Sequence, residues 1–368
     1  MYTRRQNGQP PAAVLMLGPA LALAACRGGG VQPVRPPDGG RTAGATSLTG
    51  AGATFPYPLY SKWFDVYEKQ TGVRINYQSI GSGAGIRQII ERTVDFGASD
   101  APMTDEQLAQ APGKILHIPT VLGAVVLTYN LPGVEARLNL TPDAVAGIFL
   151  GEITRWNDPR LSRDNVGVRL PDSPIVAVYR SDGSGTTHVF TDYLSVVSPA
   201  WKARVGKGTS VNWPVGLGAK GNEGVTGQVK QMPGAIGYVE LAYVVQNRLP
   251  YAFIQNQAGR FVEPTLDSVT AAAAGAAQSM PDDLRVSIVN APGAESYPIA
   301  AFTYLLVYQE QADPAKGRAL VDFLWWALHE GQQYARELLY APLPTAVVRK
   351  AEATVAMITA QGRPLRSA

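Results

Sequence analysis

One cysteine, three histidines and a low density of charge are what this 368-residue sequence has little of. With Cys26 alone, neither an internal disulfide nor a cysteine-rich metal site can be built. His117, His188 and His329 offer little material for a histidine-rich metal centre or a catalytic triad. The P-loop is missing as well, because neither Gly206-Lys207-Gly208 nor Ala219-Lys220-Gly221 ends in the required Gly-Lys-Ser/Thr. Charge is nearly balanced: the formal net charge is +3, and Arg4 and Arg5 lie in a segment expected to be removed, which leaves 30 Lys and Arg against 29 Asp and Glu. That balance argues against nucleic acid as a partner, and it requires any preference for anions to come from local geometry.

What is present is a globular composition, 46% hydrophobic and 17% charged, long enough for two domains with sizeable cores. The amino end is different. Arg4 and Arg5 precede an apolar run from Ala12 to Ala25 that ends Leu23-Ala24-Ala25-Cys26. The run is shorter than the roughly 20 residues that span a bilayer, and it reads as a signal peptide over residues 1–25 with a lipoprotein cleavage box. A lipidated Cys26 would hold the protein on a membrane surface, periplasmic or on the cell surface. Residues 27–46 contain six Gly and three Pro among twenty positions, so 26–46 is expected to be the lipidated Cys and a flexible linker.

From Ser47 onward helix-like and strand-like segments alternate, which predicts an α/β fold with mainly parallel sheets. Tyr60, Trp63, Phe64 and Tyr67 recur at helical spacing with Gly72 as a stop signal, and Leu320, Phe323, Leu324, Ala327 and Leu328 form a second such face before Gly331. These stripes are core rather than cofactor contacts.

Three glycine-rich turns share one design. Gly50-Ala51-Gly52-Ala53-Thr54-Phe55-Pro56, Gly81-Ser82-Gly83-Ala84-Gly85 and Asp182-Gly183-Ser184-Gly185-Thr186-Thr187 each precede a helix, the third running from about His188 to Leu194. Small residues let backbone N–H groups approach a ligand, and a helix's first turn carries unpaired donors with a partial positive charge. Each turn taken alone is also an ordinary helix cap; three of them with hydroxyl residues point to one shared anion. Arg180 ends the apolar run Ile175–Tyr179 beside the third turn, and its planar fork suits an oxyanion. Asp100 ends a short strand, Val94-Asp95-Phe96-Gly97-Ala98-Ser99. A carboxylate repels anions unless the anion carries a proton to donate, as phosphate does near neutral pH and sulfate does not. Against sulfate it would be an unpaired buried acceptor costing about 1 to 3 kcal/mol, so Asp100 acts as the selectivity element.

The stretches LTGAGATFPYPLYSKW from Leu48, NYQSIGSGAGIRQI from Asn76, VDFGASDAP from Val94, YRSDGSGTT from Tyr179, WPVGLGAKGNEGV from Trp213 and GAIGYVE from Gly234 resemble the periplasmic phosphate-binding proteins of bacterial ABC phosphate importers. The resemblance covers nearly all of the chain after Ser47. It implies a two-lobed type II periplasmic binding protein with mixed sheets flanked by helices and a two-crossing hinge. The crossings fall near Val121–Val126 and Tyr297–Phe302, with lobe 1 at 47–124 plus 301–368 and lobe 2 at 125–300. Carried over by motif, Thr54, Phe55, Ser82, Asp100, Arg180, Asp182, Ser184, Gly185 and Thr186 line the phosphate site, with Asp182 accepting a ligand proton or orienting Arg180. Two positions depart from the family pattern. His188 stands where an aromatic is common, read as a packing change, and Gly83 where a second Ser is frequent, read as one hydroxyl donor fewer. Expected partners are inorganic phosphate, the permease subunits of an ABC transporter and, through Cys26, a membrane; a monomer without cofactor, metal or nucleic acid is expected. Alternatives are a binding protein for sulfate or molybdate and, from another class, a phosphatase using Ser184 with His188, although no G-x-S-x-G elbow surrounds Ser184.

Overall fold

The computed structural model describes residues 47–366. The expected signal peptide, the lipidation at Cys26 and the linker lie outside the described residues. Among the described residues no helix is long and apolar enough to cross a membrane.

Eight strands form one sheet in the order Arg74–Ser79, Ser47–Gly52, Phe96–Ser99, Ala300–Tyr308, Ile115–Tyr129, Ala235–Glu240, Val176–Arg180, Leu217–Ala219. Pairing is parallel toward both ends of this order and antiparallel in the middle. The sheet is therefore mixed rather than mainly parallel. The reason lies in Ile115–Tyr129, whose fifteen residues are all buried, as expected of a near-continuous apolar strand covered on both faces. Its residues Ile115 to Ala124 pair with Ala300–Tyr308, and Val125 to Tyr129 pair with Ala235–Glu240. One long strand thus belongs to both halves of the sheet.

Pro119 has no amide hydrogen to give to the ladder, and the register with Ala300–Tyr308 shifts between Thr303 and Tyr304 beside it. Thr120, left over by the shift, donates its hydroxyl to the Thr303 carbonyl at 3.2 Å.

Each half carries an aromatic cluster. The helix Tyr57–Thr71 buries Tyr60, Trp63, Phe64 and Tyr67 and ends on Gly72 at φ 75°, as the spacing predicts. Phe64 and Tyr67 meet Phe323 of the helix Pro314–Leu328 at 5.7 and 5.2 Å between ring centres. That second helix stops at Leu328, before Gly331. Gly331 serves a close approach instead, because a Cβ there would lie 3.1 Å from the Trp326 ring and 3.2 Å from Trp63. In the other half Phe190 stacks on Tyr238 at 4.5 Å and meets Phe149 edge-on at 4.8 Å. Such pairs add about 0.5 to 1.5 kcal/mol each beyond their buried area.

Two helices begin earlier than glycine content suggests. Ser82–Ile90 takes in all of its glycine-rich turn but Gly81, and Gly185–Val197 begins inside its turn, at Gly185 after the cap Ser184. A Cβ on Gly85 would lie 2.6 Å from the Gly52 Cα, so the helix can lie against the strand only with glycine there. Close packing outweighs the roughly 1 kcal/mol that glycine costs a helix.

Candidate anion-binding site

The site begins where strands end. Ser47–Gly52 pairs in parallel with both Arg74–Ser79 and Phe96–Ser99, with Gly52 opposite Ser79 and Ala98, so their carboxyl ends lie level. Thr54, Ser82 and Asp100 follow directly from those ends. Arg180 ends Val176–Arg180 in the other half of the sheet, and the turn after it carries Asp182, Ser184, Gly185 and Thr186.

The two groups meet. A Cβ on Gly185 would overlap both Ser82 Oγ and Asp100 Oδ2, so the first residue of the Gly185–Val197 helix touches the Ser82 turn and the Asp100 carboxylate at once. The Gly83 N–H donates to the Gly183 carbonyl at 2.8 Å. A Cβ on Gly83 would lie 3.0 Å from the Gly183 Cα, so in this arrangement Gly83 is a point of backbone contact. Gly81, at φ 93°, lies under the Asp182 carboxylate with no room for a side chain. Thr54, Asp100, Arg180, Ser184 and Thr186 are all buried, and Ser82 is fully so. The Phe55 ring packs against Gly123, where a Cβ would lie 2.5 Å from it, so toward the site Phe55 offers backbone.

Two carboxylates face one guanidinium in different ways. Asp182 takes Arg180 in a two-pronged bond, Nε to Oδ1 at 2.7 Å and Nη2 to Oδ2 at 2.5 Å, and also accepts from the Gly221 N–H at 3.0 Å. Burial alone would raise its pKa, but the hydrogen bonds and charge of Arg180 outweigh that and hold it below the ordinary value. Asp182 therefore orients Arg180. Asp100 is 3% exposed and desolvation dominates, pushing its pKa from 3.8 to about 7 against the opposing Thr303 hydrogen bond and Arg180 charge. Its Oδ1 accepts from Thr303 Oγ1 at 2.8 Å, and its backbone N–H donates to Ser82 Oγ at 3.3 Å. A carboxyl balanced near neutrality can accept a proton from one partner or donate its own.

Ser184 is both the cap and a candidate donor. Its oxygen accepts from the Thr187 N–H at 3.0 Å, which leaves its hydrogen to donate. No catalytic pairing with His188 arises, since the bond between these residues is the helical one from His188 N to the Ser184 carbonyl. The His188 ring lines a cleft of about 540 Å³ that reaches Asp100 and includes Asp192 and Lys207. Among the described residues no group of three or more His, Cys, Asp or Glu side chains could hold a metal.

Two residues were missed. Asn222 is the second residue of the helix Gly221–Gln231 and is fully buried between Thr54 and Thr186. Gly221-Asn222-Glu223-Gly224 is a fourth turn of the same design with an amide in place of a hydroxyl, and the restriction to Ser and Thr hid it. Thr303 left no local signal, because only the antiparallel pairing of its strand with Phe96–Ser99, Tyr304 opposite Ser99, sets it beside Asp100.

Four comparisons bear on these features. Residues 39–330 match a family model described as a PBP superfamily domain. The chain is 49% identical over 313 residues to the phosphate-binding protein PstS of Pasteurella multocida, covering 85% of this chain and 90% of that one. It is 48% identical over 307 residues to the PstS of Haemophilus influenzae, covering 83% and 91%. The crystal structure of a phosphate-binding protein from Stenotrophomonas maltophilia shares the fold at a TM-score of 0.64 and 21% identity, covering 84% of this chain and 94% of that one. Level strand ends, four small-residue turns and a guanidinium held beside a buried acid are thus set in a two-lobed type II fold, and the chain belongs to the PstS family of solute-binding proteins within the PBP superfamily.

Proposed function

We propose that this protein captures inorganic phosphate outside the cytoplasm and delivers it to an ABC importer. One observation carries the reading: the acid Asp100, its pKa raised to about 7 by burial and opposed by the charge of Arg180, meets Gly185 and Ser82 at the amino ends of two helices. The guanidinium and helix ends attract an anion, and the carboxyl selects one that shares a proton. Thr54, Ser82, Ser184 and Thr186 supply hydroxyls, Phe55, Gly185 and Thr186 supply backbone N–H groups, and Asp182 keeps the guanidinium aimed. Relatives named for phosphate binding support the ligand.

The lobes divide at 124/125 and 300/301 in this reading, where the strands Ile115–Tyr129 and Ala300–Tyr308 run side by side. Contacts from Gly83 to Gly183, from Asn222 to Thr54 and from the Tyr243 hydroxyl to the Thr54 carbonyl at 2.5 Å then run between lobes. Donors from both lobes are what allow a ligand to drive closure. The closed form, a monomer anchored through lipid on Cys26, docks on the permease and releases its cargo.

Calorimetry with the processed protein tests the reading. Phosphate, and arsenate in competition, should bind, while sulfate and molybdate should not. Sulfate binding as tight as phosphate would refute it and favour the broader oxyanion reading; turnover of a chromogenic phosphoester would favour a phosphatase.

A further inference from the structure

The Asn222 side chain spends every one of its polar groups. Its Nδ2 donates one hydrogen to Thr54 Oγ1 at 2.7 Å and the other to Thr186 Oγ1 at 3.1 Å. Its Oδ1 accepts the Glu240 N–H at 2.9 Å, which fixes the sense of the amide and turns its NH2 toward the two threonines. The backbone N–H of Asn222 also donates to Thr54 Oγ1, at 3.2 Å. A hydroxyl oxygen has two acceptor positions and one hydrogen. Both acceptor positions of Thr54 Oγ1 are thereby filled. Those of Thr186 Oγ1 are filled too, by Asn222 and by Arg180 Nη1 at 3.4 Å. What remains to each hydroxyl is its hydrogen.

We propose that Asn222 is the positioning residue that turns Thr54 and Thr186 into obligate donors, so that two adaptable hydroxyls present only hydrogens to the bound anion. The inference rests on the anion-site reading above. A serine or threonine hydroxyl ordinarily rotates to suit its partner and meets a donor as readily as an acceptor. With its lone pairs occupied it can satisfy only an acceptor. A neutral or cationic solute that brings hydrogens to these positions is refused, and an anion pays no reorientation of the hydroxyls on entry. Asn222 also joins a threonine from the 47–124 range to one from the 125–300 range through a single planar group, so the two hydroxyls are set at the same moment that these parts meet.

The test is calorimetry with inorganic phosphate on the full processed chain carrying Asn222→Asp, Asn222→Ala, and Asn222→Ala combined with Thr54→Val and Thr186→Val. Asn222→Asp keeps size and shape but offers only acceptors, so both threonine hydrogens turn toward it and away from the ligand. We expect a loss on the order of 100-fold or more, from two hydrogen bonds to a charged group and an added like charge. Asn222→Ala should lose about 3- to 10-fold, because the hydroxyls become free to rotate without being turned away. On the Thr54→Val, Thr186→Val background, Asn222→Ala should change affinity by less than about twofold, since no hydroxyls remain to be oriented. A merely structural role predicts the same loss from Asn222→Ala on both backgrounds, and that additivity would overturn the proposal, as would Asn222→Asp binding within threefold of wild type. If Asn222→Asp fails to fold, the Ala cycle alone decides. Failure of the wild type to bind phosphate would sink the underlying reading and is a separate outcome.

Discussion

Asp100 and Asp182 both feel the charge of one guanidinium and have opposite fates. Asp182 shares two short hydrogen bonds with Arg180, takes a third from Gly221, and stays ionised. Asp100 receives one hydroxyl from Thr303, lies deeper, and has its pKa lifted to about 7. Two carboxylates at one candidate anion site are tolerable because one is neutralised by pairing and the other, with a pKa lifted to about 7, carries its charge only part of the time near neutral pH. The lesson is that the count of acids says little about the field a ligand meets; the hydrogen bonds each acid receives decide it.

The sharpest way to break the comparison is to remove the group that both acids face. Arg180→Met should cost phosphate on the order of 1,000-fold in affinity by calorimetry, because the anion loses the guanidinium that attracts it and Asp182 is left without its cation. A loss under tenfold would mean that helix ends alone hold the ion.

Asp100→Asn should act on selectivity and stability together. Above the Asp100 pKa of about 7, where the acid is an acceptor only, its removal should lower the discrimination against sulfate roughly 5- to 150-fold, read as the ratio of the two affinities. The stability effect has a definite sign. The folded pKa lies above the unfolded one, so between pH 4 and about 7 the unfolded chain releases a proton that the folded one keeps, and Asp100 lowers stability as pH rises through that window. His117 works in the opposite direction. Burial lowers its pKa from 6.5 to about 4, which costs stability as pH falls through that range. The Asp100 contribution must therefore be read as a difference. Asp100→Asn should melt higher than the ligand-free wild type at pH 7, by an amount on the order of 1 to 3 kcal/mol, and the gap should close by pH 4. An equal gap at both pH values would show that the acid is not protonated by burial.

Asp182→Asn should be milder. Arg180 loses its two-pronged anchor but keeps its whole charge for the ligand, and these effects oppose each other. Phosphate affinity should stay within about tenfold of wild type while denaturant unfolding records a loss of about 1 to 2 kcal/mol. Smallest of all, Gly83→Ala places a methyl 3.0 Å from the Gly183 Cα and should weaken phosphate binding only a few-fold, about 1 kcal/mol, if backbone shifts absorb the contact. No change would remove Gly83 from the closing contact.

Much of the candidate site was legible because its parts are local signals. Turns of small residues next to hydroxyls announce helix ends, and the nine residues from Thr54 to Thr186 lie where such turns meet. Other features were not legible, since they depend on distant pairing. Gly85 reads as part of a turn and Gly331 as the residue after a helix, yet each marks where a backbone lies against another element. Thr303 gives no local sign of a partner; the pairing of its strand with Phe96–Ser99, about 200 positions earlier, sets it beside Asp100. Asn222 was visible as a letter but not as a partner, because its value lies in touching two threonines far apart in the chain.

By itself the sequence determined the alternation of helices and strands, the two helical stripes that pack together in one half of the core, and the small-residue turns that leave backbone donors free. Those follow from steric limits and hydrophobic periodicity, which act over a few residues. Only the tertiary structure decided which acid is paired and which is protonated, and which hydroxyls have their lone pairs occupied. Desolvation and hydrogen-bond partnership depend on what the rest of the chain brings within about 3 Å, and local sequence does not encode that distance.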